Sequence, residues 1–243
     1  MKKRILCSLL LLFFSHFAKS QMRPEETEVW SPVPPVITVD AQSGIPSDAI
    51  ILFDGTNLNA WVNEKGEKAK WNVNDGILTV LPGSGSILTW QQFADCQLHI
   101  EWRSPEEIKG NGQGRGNSGI FLQNHYEVQV LDSYQNPTYS NGQAASIYKQ
   151  HIPLVNVCRK PGEWQTYDII YTAPRFNNDN SLQTPAYITI LQNGVLVQNH
   201  VEIKGTTAYI GAAKYTKHPF KQPLSLQDHR NPVSYRNIWI REL

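Results

Sequence analysis

The chain has little sulfur, no basic block beyond its first four residues, and no apolar repeat at helical spacing in its 243 residues. Each absence excludes something. Lys and Arg total 22 against 21 Asp and Glu, a formal net charge of +1, and no strand-like segment concentrates cations. Phosphate backbones are held through such concentrations, so nucleic acid is excluded and an uncharged partner is indicated. Of three cysteines, Cys7 lies in the N-terminal leader, which leaves Cys96 and Cys158. Export would permit a bridge between them, and two buried thiols remain an equal alternative.

Long apolar runs are confined to the leader. "MKKRILCSLLLLFFSHFAKSQ" carries Lys2, Lys3 and Arg4, an apolar stretch from Ile5 to about Phe14, and small residues Ala18 and Ser20 before a cut at Gln21. That stretch falls short of the roughly 20 residues that span a bilayer. Residues 1–20 therefore read as a cleavable signal peptide, with no membrane span, and the mature protein as periplasmic or secreted. Residues 21–48 hold five prolines without sustained periodicity and read as an extended N-terminal segment. Residues 49–243 read as a single domain.

What is present from Ala49 onward is short strands. "AIILF", "WNVNDGILTV", "SILTW", "CQLHIEWR", "SGIFLQ", "YEVQVLD", "TYDIIYTA", "AYITILQNGVLVQNHVEI", "AYIGAA" and "YRNIWIREL" are rich in Ile, Val, Tyr and Trp and bounded by Gly, Asn, Asp or Pro. Asn74-Asp75-Gly76 and Gln192-Asn193-Gly194 have the chemistry of tight hairpin turns. Strands without intervening helices exclude a parallel βαβ sheet and predict an all-β, two-sheet antiparallel sandwich.

Several strands are polar on one face. In "CQLHIEWR", Leu98, Ile100 and Trp102 form one row and Gln97, His99, Glu101 and Arg103 the other; "YEVQVLD" adds Glu127 and Gln129, with Asp132 at its end. A solvated outer face explains any one such strand. Repetition with Trp nearby suits a sugar site, because hydroxyls need paired donors and acceptors while ring CH faces stack on aromatics. Trp164 and Tyr134 border the polar face and are candidates for stacking; Trp71, Trp102 and Trp239 alternate with apolar neighbours and read as core. Asp168 and His200 read as structural. The glycines of "GNGQGRGNSG" precede no helix, which removes a phosphate-loop reading.

Taken in order, "LFDGTNLNAWV", "WNVNDGILTV", "FADCQLHIEWR", "GNSGIFLQNHYEVQVLDSY", "EWQTYDIIYTAPRF" and "LSLQDHRNPVSYRNIWIREL" resemble the 3-keto-disaccharide hydrolase domain family, over about Ile50 to Leu243. The resemblance implies a jelly roll of the concanavalin A-like, laminarinase-like type. It implies cleavage of glycosides whose C3 hydroxyl has already been oxidised to a ketone, a step that pairs the protein with a separate sugar 3-oxidoreductase. The positions that match the family's polar residues are Glu101, Arg103, Asn117, Ser118, Glu127, Gln129, Asp132 and Gln227-Asp228-His229.

Retaining glycosidases use two carboxylates roughly 5–5.5 Å apart. "EVQVL" offers Glu127, then Gln129, then Leu131, so the second carboxylate is missing. A ketone at C3 changes the requirement: the C2 proton becomes acidic, one base removes it, and the enediolate expels the C1 aglycone. His229 is the first candidate for that base and Glu127 the second, with Arg103 and Asn117 as donors to substrate oxygens and Asp132 orienting His229. Glu101, Ser118, Gln129, Tyr134, Trp164 and Gln227 complete the expected substrate contacts. No organic cofactor is called for. Glu101, Glu127, Asp132 and His229 form a candidate donor set for a divalent metal ion, although no compact ligand spacing is present. The rival readings are a non-catalytic, lectin-like carbohydrate-binding module and an ordinary glucanase.

Overall fold

The computed structural model describes residues 22–243, so the signal peptide expected over residues 1–20 lies outside the described residues. Residues 22–36 belong to a unit of their own, with one 3-10 turn at Pro24–Thr27 and every side chain exposed. Residues 37–243 form the second unit. The stretch 37–48, expected as part of the lead-in, belongs to that body: Val39 and Pro46 bridge across a turn in which Asp40 accepts from the backbone N–H of Gln42 and Ser43.

Fifteen strands follow in chain order: β1 (Ile50–Phe53), β2 (Trp61–Asn63), β3 (Asn72–Asn74), β4 (Ile77–Thr79), β5 (Ile87–Phe93), β6 (Cys96–Arg103), β7 (Asn117–Leu122), β8 (Tyr126–Leu131), β9 (Gln165–Thr172), β10 (Arg175–Phe176), β11 (Leu182–Thr184), β12 (Tyr187–Gln192), β13 (Val195–Glu202), β14 (Gln222–Leu226) and β15 (Ser234–Glu242). Eight make one sheet in the order β13-β12-β9-β6-β15-β4-β3, with β1 also on β15; five make a second, β2-β5-β14-β7-β8; β10 and β11 form a separate ribbon. The pairings are antiparallel.

Side-chain alternation packs the two sheets as a sandwich, consistent with a jelly roll. Leu98, Ile100 and Trp102 of β6 and Tyr126, Val128 and Val130 of β8 are buried in one shared core. The other row of each strand therefore faces outward, on opposite sides of the molecule. Asp75-Gly76 and Asn193-Gly194 make the expected hairpin turns, both residues of each pair having positive φ (49° and 76°; 52° and 79°). Near the middle of β15 a bulge at Asn237 (φ 45°) marks the switch from pairing with β4 to pairing with β1.

Two local expectations change. β14 escapes the sequence pattern because Pro223 interrupts it. The strand accommodates Pro223 opposite Gln92 next to a register shift, and pairs with β7 only from Ser225 onward, so no ladder bond to β7 needs the missing N–H. "AYIGAA" is loop rather than strand: Gly205 and Gly211 have positive φ, and Tyr209 and Ile210 are exposed. Cys96 and Cys158 are free, which settles the bridge alternative against a disulfide. Burial pushes the Cys96 thiol up to about 12 and raises Cys158 as well, which favours the protonated thiol at both.

Candidate functional site

A pocket of about 660 Å³, a volume typical of small-molecule sites, opens on the outer face of the five-stranded sheet where β7 and β8 pair. Asn117 and Phe121 of β7 and Glu127 and Gln129 of β8 line its floor. Gly119, opposite Gln129, makes room for the acid: a Cβ there would lie 2.6 Å from Glu127 Oε1 and 2.8 Å from the Phe121 ring. The outer edge of β8 is closed by the segment after it. Gln129 N–H donates to Ser146 O (3.0 Å), Ala145 N–H to Gln129 O (2.9 Å) and Tyr148 N–H to Glu127 O (3.2 Å). These bonds raise Tyr139, Tyr148 and Lys149 as one wall. Gln113 of the glycine-rich loop forms another, its amide donating to Thr138 Oγ1 and Gly142 O. The lip is Thr207 and Tyr209, with Glu127 N–H donating to Thr207 Oγ1 at 2.9 Å.

Glu127 is 5% exposed and is the only carboxylate among the residues lining the pocket. No cation pairs with it among the described residues, and burial pushes its pKa up to about 8. Gln129 Nε2 donates to Gln113 Oε1 at 3.0 Å, which leaves the Gln129 amide oxygen facing Glu127 Oε1 at 3.1 Å, where the protonated acid donates to it. Lys149 Nζ donates to Tyr209 O (2.6 Å) and sits 4.2 Å from the Tyr209 ring centroid and 5.7 Å from those of Tyr139 and Tyr148. Burial, followed by a 2.6 Å hydrogen bond to Tyr139 Oη, raises the Tyr148 phenol. Gln227 Oε1 is buried without a partner, the kind of acceptor that a ligand hydroxyl satisfies. His229 stands exposed at the rim.

The loop that carries Gln227 and His229 is pinned from beneath. Asp228 accepts from Gly85 N–H (3.0 Å) and Arg230 N–H (2.8 Å), and Gln227 N–H donates to Gly119 O at 2.9 Å. Ser118, expected to touch substrate, points into the protein. Its hydroxyl donates to Gln227 O (2.7 Å) and accepts from Tyr235 Oη (2.6 Å), so it holds the loop. Asp132, expected beside His229, is buried in an ion pair with Arg115 at 2.5 Å and accepts from Tyr134 N–H at 3.2 Å. Arg115 also donates to Tyr134 O at 3.0 Å, so Asp132 and Tyr134 lock loops together outside the pocket lining.

Glu101, Arg103 and Trp164 are corrected outright, because β6 and β9 belong to the other sheet and present their polar rows on the opposite face. There Arg236 Nε donates to Glu101 at 2.6 Å, Asn237 donates to it at 3.0 Å, and His99 Nδ1 lies 2.7 Å from Asp168. The Trp164 ring lies under two guanidinium groups, Arg236 at 4.2 Å and Arg103 at 4.7 Å. Trp239, expected in the core, is buried instead against His99, with ring centroids 5.2 Å apart. Desolvation pulls the His99 pKa down, but its bonds to Asp168 and Glu101 outweigh that and take it up to about 9. His99 is first among the groups that hold Glu101 down at about 2, ahead of Asn237 and Arg236. Asp168, expected to be structural, is engaged by His99 on this face; His200 stacks on Tyr187 with centroids 4.7 Å apart.

Of the expected site residues the pocket thus gathers Glu127, His229, Asn117, Gln129 and Gln227. The expected metal donors do not converge: Glu101 is on the far sheet and Asp132 is taken by Arg115. No cluster of three or more His, Cys, Asp or Glu side chains arranged for a metal occurs among the described residues. Lys149, Tyr139, Tyr148, Gln113 and Thr207 lie in segments without periodicity, and Tyr209 lies in "AYIGAA", whose pattern reads as a strand, so no sequence pattern marks them as site residues. The one available signal was the density of tyrosine in "SYQNPTYSNGQAASIYK".

Comparison with known proteins gives a consistent result. The profile of the 3-keto-alpha-glucoside-1,2-lyase-like domain matches residues 48–241. A crystal structure of a candidate glycosyl hydrolase from Parabacteroides distasonis is 55% identical, with a TM-score of 0.88, over 92% of this chain and 98% of its own. Two more candidate glycosyl hydrolases from that organism share the fold. One is 18% identical (TM-score 0.59, 81% of this chain and 94% of its own), the other 22% (TM-score 0.56, 80% and 99%). No curated protein matches the chain.

Proposed function

Because the chain belongs to the 3-keto-alpha-glucoside-1,2-lyase-like domain family, and so to glycosyl hydrolase-like, carbohydrate-active proteins, we propose that it cleaves 3-keto-glycosides by elimination across C1 and C2. The observation that carries this reading is the solitary, buried Glu127. Double displacement at an ordinary glycoside needs two carboxylates, and the pocket lining contains one. A carboxylate whose pKa is lifted to about 8 is a stronger base than an ordinary one, which suits removal of a proton from carbon. The order of candidates inverts accordingly: Glu127 is the base, and His229 at the rim serves the leaving group.

Glu127 takes the C2 proton and the C2–H electrons form the enediolate. Re-forming the C3 carbonyl then makes the C1–C2 double bond and breaks the bond from C1 to the aglycone oxygen, which takes a proton from His229. Addition of water across the new double bond completes net hydrolysis; without it the protein is a lyase. Asn117, Gln129, Gln227 and Gln113 supply amide donors and acceptors for the ring hydroxyls. The chemistry requires no organic cofactor and a separate oxidoreductase that installs the ketone. We place it in the periplasm or outside the cell on the strength of the leader. The test is a chromogenic 3-keto-glucoside beside its unoxidised counterpart. Release from the keto form alone is expected; release from both would make the protein an ordinary glycosidase, and binding without release a lectin-like module.

A further inference from the structure

We infer that Lys149 is a catalytic residue, its ammonium donating to the C3 carbonyl oxygen of the substrate and stabilising the negative charge that gathers there as Glu127 removes the C2 proton. This rests on the reading of the pocket as a 3-keto-glycoside site. Four observations carry it.

Lys149 lines the same pocket as Glu127, and the backbone ties the two together: Tyr148 N–H donates to Glu127 O at 3.2 Å and Lys149 N–H to Asn141 O at 2.7 Å. Lys149 has φ 59°, a left-handed conformation uncommon for a side-chain-bearing residue, in a turn that its N–H bond to Asn141 O fixes. Its charge has no carboxylate within ion-pair distance among the described residues, unlike Lys109 or Lys221. The partners it does have are the Tyr209 carbonyl and three tyrosine rings, groups that favour the cation without neutralising it. A cation held in the same pocket as a base is what an enediolate needs, since charge on the ketone oxygen develops only as the proton leaves.

The step is non-covalent. The ammonium keeps its proton, the electron pair from C2–H passes to the C3 oxygen and returns when the aglycone departs, and Glu127 ends the step protonated. The assignment also orients the sugar, with C3 towards the tyrosine wall and C2 over Glu127.

The experiment compares Lys149→Gln, Lys149→Arg, Glu127→Gln and, as a control for lost surface charge, Lys221→Gln on a chromogenic 3-keto-glucoside. Lys149→Gln is expected to lower kcat by about 10²–10³-fold, the usual loss for one oxyanion donor, with KM changed far less. Lys149→Arg keeps part of the rate, Lys221→Gln keeps all of it, and borohydride added with substrate leaves the mass of the native protein unchanged. Two results would overturn the assignment: a Lys149→Gln kcat equal to that of the native protein, or a substrate adduct fixed by borohydride, which would mean an iminium. If the native protein does not act on the keto-glucoside, the functional reading fails and this one with it. If Glu127→Gln is inactive while Lys149→Gln is not, only the role of Lys149 falls.

Discussion

Replacing Glu127 by Gln should make the protein more stable and leave it without activity. In the unfolded chain the acid loses its proton near the ordinary 4.5, and in the folded protein only near 8. Between those values the folded state binds more protons than the unfolded one, so stability falls as pH rises through that window, and the penalty is complete above pH 8. At about 1.4 kcal/mol per pH unit the buried carboxylate costs on the order of 5 kcal/mol in alkaline solution. A glutamine carries no charge and escapes the cost. For a chain of this size that corresponds to a rise in Tm of roughly 10 °C at pH 8.5, shrinking to little at pH 4.5. Thermal unfolding of both proteins across that range measures it. A variant no more stable than the native protein at pH 8.5, or one with the same pH dependence, would refute the claim that Glu127 sits unpaired in a desolvated pocket.

Two further outcomes follow from the same geometry. Gly119→Ala places a methyl group against Glu127 Oε1, and displacing the base from its working position should lower kcat/KM on the keto-glucoside by about 10²-fold with the circular dichroism spectrum unchanged. Asp168→Asn acts on the far sheet. His99, raised to about 9, adds stability that is complete below 6.5 and lost as pH rises through 9; Glu101, lowered to about 2, adds stability that is complete above 4.5 and lost as pH falls through 2. Urea denaturation should therefore show the native protein ahead of Asp168→Asn by about 1 kcal/mol near pH 5.5, since the pair is partly exposed, with equal activity.

Much of this architecture is written in local chemistry. Alternating Ile, Val and Tyr specify the strands, Asp75-Gly76 and Asn193-Gly194 specify their turns, and the polar row of "YEVQV" faces the pocket. Alternation cannot say which outer face of a sandwich a row occupies. Glu101 and Glu127 have the same local pattern and lie on opposite sides, because β6 pairs with β9 and β15 while β8 pairs with β7, and those partners are set by long-range topology. Asp132 and Ser118 look like site residues by type, but their side chains are consumed by Arg115, Gln227 and Tyr235. Lys149 was invisible for a different reason: its place depends on a loop hydrogen-bonded along the edge of β8, which no periodicity announces.

The most direct test of the central claim follows a label on carbon. A 3-keto-glucoside carrying deuterium at C2 is cleaved in ordinary water and the sugar product is analysed by mass spectrometry, with unreacted substrate as the reference for spontaneous exchange. Elimination predicts that the unsaturated sugar has lost its deuterium entirely, and that any hydrated product has lost it to the extent that the deuteron on Glu127 exchanges with water before C2 is reprotonated. Full retention of the label in every product molecule would mean displacement at C1 with the C2–H bond intact, and Glu127 would not be the base described here.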